Sequence, residues 1–167
     1  GARDGQVVVI EIIEQPTKNA EPMGRVVEVL GNYADPGMEI EIALRKHDLP
    51  HEFSRAVEQA AARLPTKVEA KDLKGRKDLR KLPFVTIDGE TAKDFDDAVF
   101  AESLAKGKGF RLHVAIADVS HYVKPGEALD IDAYERATSV YFPRRVIPML
   151  PEKISNGLCS LNPNEDR

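Results

Sequence analysis

Four aspartates fall within ten positions of the run TIDGETAKDFDDAV (residues 86–99): Asp88, Asp94, Asp96 and Asp97. Carboxylates held close together raise one another's pKa, so they converge only where something compensates their charge. A hard cation does this. Mg²⁺ takes oxygen ligands, keeps several of its waters and joins carboxylates to phosphate. Two such ions about 3.5–4 Å apart activate an attacking water and stabilise a leaving oxygen. The spacing lacks the glycine and terminal glutamate of an EF-hand calcium loop. In an extended stretch Asp94 and Asp96 share one side and Asp97 faces the other, so a bend or wrapping loop is needed to gather all four. The bland alternative is a solvated acidic loop whose carboxylates cap turns.

Other residue types suited to the same chemistry lie further on. Tyr141, in SVYFPRR, suits either stacking on a base, worth roughly 1–3 kcal/mol, or packing in a core. Arg144 and Arg145 have the fork that grips a phosphate, or are ordinary surface arginines. Asp118, Ser120 and His121 form no hydrolase triad, because no nucleophile-elbow motif surrounds the serine. His121 also lacks a zinc-ligand spacing. His113 alternates with apolar neighbours and reads as a structural strand residue. Cys159, the sole cysteine, reads as a small buried side chain.

The chain of 167 residues carries a formal net charge of -4, which by itself argues against a nucleic-acid partner. The distribution argues otherwise. Between residues 63 and 81 there are eight bases (Arg63, Lys67, Lys71, Lys74, Arg76, Lys77, Arg80, Lys81) against three acids (Glu69, Asp72, Asp78). Between residues 84 and 102 there are six acids (Asp88, Glu90, Asp94, Asp96, Asp97, Glu102) against Lys93. A cationic surface for a phosphate backbone beside an anionic pocket for cations suits a metal-assisted nuclease. No apolar run approaches the ~20 residues of a membrane span. The opening residues lack a signal-peptide pattern, and a lone cysteine suits a reducing, cytoplasmic compartment.

The elements that position these residues divide into two regions. The β-branched run in GQVVVIEIIEQP, which ends at Pro16, and residues 25–30 and 38–44 read as three strands separated by turn residues, an all-β unit in which Met38 to Leu44 alternates as a half-buried strand. Phe53, Val57, Ala60, Ala61 and Leu64 recur at helical spacing, with Ser54 or the His51 region as cap and Pro65 as stop. A charged connector follows, and residues 51–83 together read as a linker. Beyond it, Phe84–Ile87 reads as a short buried strand placing Asp88 at its end, Ala98–Ala101 begins another, and Phe110–Ile116 is a third after a turn at Lys106–Gly109. Ile131–Ala137 is expected to be helical. The last segment, with four prolines and little periodicity, reads as an ordered loop.

Three runs in order, TIDGETAKDFDDAV, LHVAIADVSHYV and TSVYFPRRVIPMLPEKISNGLCSLNP, closely resemble the catalytic domain of the ribonuclease II and ribonuclease R family, in spelling most like its bacterial ribonuclease R branch. The resemblance covers residues 84–167. Residues 1–50 are similar to the end of that family's second cold-shock domain. The implied fold is mixed: part of an all-β OB-type cold-shock barrel, then the N-terminal portion of an α+β catalytic domain.

The resemblance also implies roles. Asp88, Asp94, Asp96 and Asp97 form a magnesium site of one or two ions, with Mn²⁺ able to substitute. Asp88 and Asp97 are direct ligands, and Asp96, with Asp94, is closest to the chemistry. Tyr141 holds the terminal nucleotides; Arg144 and Arg145, read from their residue type alone, are the further candidates for contacting RNA. The implied activity is processive 3′-to-5′ hydrolysis of single-stranded RNA to 5′-monophosphates by a monomeric, cytoplasmic parent protein. Other domains of the same polypeptide complete the site, and this piece alone is expected to be weak or inactive. The competing class is a non-catalytic RNA-binding module on the same fold, which loss of an acidic ligand would favour; none of the four is lost.

Overall fold

The structure, a computed structural model, describes residues 1–167, the side chain of Lys106 excepted. The chain forms two compact units, residues Gly1–His51 and Glu52–Arg167.

In the first unit, β1 (Gln6–Glu14) and β2 (Met23–Asn32) pair antiparallel, with register shifts that bend the ribbon. The third expected strand is instead a helix, α1 (Met38–Lys46). The alternation points to a strand, but the segment is covered on several sides, with Met38 and Leu44 buried and Ile40 to Ala43 partly so, which a packed helix also satisfies. Acidic residues in its first turn and basic ones in its last suit the helix dipole. Arg45 pairs with Glu41 one turn back and with Glu28 of β2 at 2.6 Å, tying helix to ribbon. The unit is therefore not all-β, and two paired strands close no barrel.

In the second unit, α2 (Arg55–Arg63) starts where the Ser54 hydroxyl accepts the Val57 amide N–H at 3.3 Å. Its Val57 and Ala61 join Leu129 of α4 (Ala128–Arg136) with Leu150, Ile154 and Leu158 in the core. So α2, read from sequence as part of a linker, belongs to this unit's interior. Buried Arg136 lies over the Phe53 ring at 4.0 Å and donates to the Glu52 carbonyl at 2.6 Å. The charged connector is also more ordered than its polarity suggests: Ala70–Leu73 is a 3₁₀ turn that buries Asp72.

Strands β3 (Asp97–Ser103) and β4 (Phe110–Ile116) pair antiparallel without a slip, from Asp97 opposite Ile116 to Ser103 opposite Phe110. His113 sits in β4 as a structural residue, stacked on Phe100 and bonded to Glu102 at 3.1 Å. Phe84–Ile87 is not a buried strand. Val85 makes a single bridge to Val99, and Ile87 is 85% exposed. A short α3 (Val119–Tyr122) follows β4, and β5 (Val140–Phe142) with β6 (Arg145–Ile147) forms a small hairpin. The proline-rich end is not simply a loop: Lys153–Leu158 forms a π-helix that buries Ile154 and Leu158. Its proline-broken flanks hid this turn, which offers no 3.6-residue period. Among the described residues no helix is long and apolar enough to cross a membrane.

Candidate active site

The acidic run has no regular secondary structure until Asp97 opens β3. Its backbone is shaped by single contacts: the Ala92 amide bonds to the Gly89 carbonyl at 3.0 Å, and the Ala117 amide to the Asp96 carbonyl at 2.8 Å. The wrapping places Asp88, Asp94 and Asp96 on the wall of one cavity of about 550 Å³, together with Tyr141 from β5. Asp97 is not on that wall, as alternation from Asp96 into β3 requires.

Asp96 is solvent-exposed as a residue, yet its carboxyl sits low enough in the cavity to be partly desolvated. That desolvation first, then the negative charges of Asp94, Asp88 and Asp97, raise its pKa above the usual carboxylate range. The Tyr141 hydroxyl donates to Asp94 Oδ2 at 3.2 Å. Desolvation and the Asp94 charge raise the Tyr141 pKa, which keeps the phenol a donor. Tyr141 as a residue is 66% exposed.

The arginines are elsewhere. Arg144 occupies the β5–β6 turn at φ 69° after Pro143, the pattern of a type II turn, and Arg145 opens β6. Both are exposed and neither lines the cavity. Asp118 and His121 line a second, smaller cavity with Arg76, which donates to Asp118 at 2.5 Å, and the Ser120 hydroxyl donates to Asp118 at 3.0 Å. His121 bonds there to Asp72 at 2.9 Å. Cys159 is buried, and burial pushes its thiol pKa up to about 11. Cavity residues that the sequence reading passed over include Lys93, Ser139, Glu152 and Asn156. Polar residues in a proline-rich tail carry no periodic signal, and only the fold brings them here.

The donors in this cavity are oxygens, the set a hard cation takes. Among the described residues no three acidic, histidine or cysteine side chains are closed into a metal cage. Oxygen donors of this kind suit Mg²⁺, which completes its shell with water and phosphate.

Both units of the chain resemble known proteins. Residues 76–167 match the RNB domain model, and residues 1–54 match a cold shock domain. Ribonuclease R of Vibrio cholerae is 60% identical across the whole chain, which spans 20% of that relative's length. The structure of Mycoplasma genitalium RNase R in complex with double-stranded RNA superposes with a TM-score of 0.88 at 39% identity, covering 96% of this chain and 28% of that one. Yeast Ssd1, described as a pseudonuclease, shares the fold at a TM-score of 0.68 and 22% identity, covering 96% of this chain and 20% of its own. The fold alone therefore does not decide whether a member cuts RNA. With the RNB match spanning more than half of the sequence, on the segment that carries all four aspartates and Tyr141, the chain belongs to the RNB-domain family.

Proposed function

We propose that this chain provides the acidic side of the active site of a magnesium-dependent, processive 3′-to-5′ exoribonuclease acting on single-stranded RNA, the remainder of the site coming from other parts of a monomeric parent polypeptide. The observation that carries this reading is the convergence of Asp88, Asp94, Asp96 and Tyr141 on one cavity in an RNB-family chain. Asp88, Asp94 and Asp96 would hold Mg²⁺ or Mn²⁺ from the cavity wall, and Asp97, off that wall but close enough for its charge to act on Asp96, would complete the acidic set. Bound there, the ion supplies charge neutralisation at the scissile phosphate and a more acidic water.

The chain's own residues do the rest. Partial desolvation and the charges of Asp94, Asp88 and Asp97 make the ionised carboxyl of Asp96 costly, a cost that a bound cation would offset. Tyr141 orients Asp94 through its hydroxyl and offers its ring to a base near the 3′ end. Arg144 and Arg145, at the hairpin, would meet phosphates outside the cavity. The bases between Arg63 and Lys81, all eight of them exposed, would hold the backbone further away.

The test uses the full parent protein and single-stranded RNA labelled at its 5′ end, with Mg²⁺ or EDTA. A magnesium-dependent ladder shortening from the 3′ end is expected, and Asp96→Asn should slow it by roughly 100-fold or more. Intact RNA that nevertheless binds the wild-type protein would make it a non-catalytic relative, as the shared fold of a pseudonuclease permits.

A further inference from the structure

We propose that Ser160 is a positioning residue for the aspartate cluster, a buried hydroxyl that pins the backbone on both sides of Asp94; this rests on the reading of the cavity as a metal-dependent site. Residues 92–96 lack a ladder partner, so something other than secondary structure must fix the direction in which Asp94 and Asp96 point. Ser160 is 65 positions from Phe95 in sequence and 0% exposed. Its Oγ accepts the Phe95 N–H at 3.0 Å and donates to the Lys93 carbonyl at 2.8 Å. The Asn162 Oδ1, at 3.1 Å, is a second acceptor for the same proton. The two peptide groups so held are those flanking Asp94, and their orientation sets the direction of its Cα–Cβ bond.

Neighbouring bonds extend the clamp. The Leu161 N–H donates to the Phe95 carbonyl at 2.9 Å, and the Ala117 N–H to the Asp96 carbonyl at 2.8 Å. The clamp is itself anchored, since Arg167 Nε donates to the Ser160 carbonyl at 2.7 Å. Just before it, the Cys159 N–H bonds to the Ile154 carbonyl at 2.8 Å, closing the π-helix. Serine suits the position because one small hydroxyl both donates and accepts. Alanine would fill the same space and leave the Phe95 N–H and Lys93 carbonyl without it. Partners that orient metal ligands without touching the metal typically change metal affinity by about 10–100-fold when removed.

The experiment uses the full parent protein as wild type, Ser160→Ala, Ser160→Thr and Ile154→Val. The last removes a methyl group from a fully buried core side chain whose own backbone lies outside residues 92–96, and serves as the merely structural control. Mn²⁺ binding is read by electron paramagnetic resonance, backbone mobility by hydrogen exchange of the peptide containing Phe95, and stability by thermal unfolding. Ser160→Ala is expected to raise the Mn²⁺ dissociation constant by about 10–100-fold and to speed exchange around Phe95. Ile154→Val should lower the melting temperature and leave both other readings at wild type. Ser160→Thr, which keeps the hydroxyl, should recover Mn²⁺ affinity relative to alanine, and it carries the test if the alanine variant does not fold.

Wild-type Mn²⁺ affinity in Ser160→Ala overturns the proposal and leaves the exoribonuclease reading standing. So does an equal loss of affinity in Ile154→Val at matched stability, or a folded threonine variant that binds Mn²⁺ far more weakly than wild type. A wild-type protein that binds no Mn²⁺ removes the reading and the proposal together.

Discussion

At the scale of single residues, Tyr141 has two separable parts. Its hydroxyl reaches Asp94 at 3.2 Å, while the residue as a whole is exposed and lines the cavity. If the ring stacks on an RNA base, Tyr141→Ala should weaken binding of a short single-stranded RNA by roughly 1–3 kcal/mol, measured by fluorescence anisotropy in EDTA so that turnover does not interfere. Tyr141→Phe should retain most of that affinity and lose activity through a less well oriented Asp94. Equal binding by the alanine variant would leave Tyr141 as a prop for Asp94 alone. The convergence of Asp88, Asp94 and Asp96 on one cavity was legible because the signal is local: their types and spacing state a charge problem. The different placement of Asp97 was also foreshadowed by alternation. Ser160 was not legible, since a serine in a proline-rich tail gives no sign that it reaches back to Lys93 and Phe95.

At the scale of elements, the 3₁₀ turn Ala70–Leu73 is joined to α3 by buried Asp72. The Glu69 N–H, at 2.9 Å, and then the His121 ring hold its carboxyl below the usual carboxylate range. A folded-state pKa below the unfolded one means that the unfolded chain binds the proton more readily. The contribution is therefore present above the unfolded value of about 3.9 and is lost as pH falls through the folded one. Asp72→Asn should destabilise the parent protein at pH 7, with the gap to wild type closing at the acid end of a denaturant series run against pH. A gap that stays constant with pH would show that packing, not the carboxylate, holds the turn. The same connector shows why elements were only partly readable. Its charges are real, but one acid turned inward to a histidine 49 positions away, which no window of local polarity contains. The helix at Met38–Lys46 was misread for a related reason. An alternating MEIEIAL also satisfies a helix, and the deciding partner, Glu28, lies on another element.

At the scale of the whole molecule, the β3–β4 pair is sided in an unexpected way. Ala98, Phe100 and His113 lie on the more covered face, while Phe110, Leu112, Val114 and Ile116 alternate along the other with exposures of 56–76%. A contiguous apolar stripe of this kind is a surface built to be covered, and the chain spans only 20% of the length of its Vibrio cholerae relative. If the parent protein covers the stripe, the same substitution should have two different costs. Leu112→Ala in the isolated 167-residue chain, where Leu112 is 64% exposed, should change stability by no more than about 0.5 kcal/mol. In the parent it should cost about 2–5 kcal/mol, as truncation of a buried leucine does. Denaturant unfolding of both proteins, with and without the substitution, measures the difference directly. The isolated chain should also self-associate on concentration, in sedimentation, through the open stripe. A parent protein as indifferent to Leu112→Ala as the isolated chain would mean that the stripe stays exposed there too, and that it serves contact with another molecule instead of the completion of this fold.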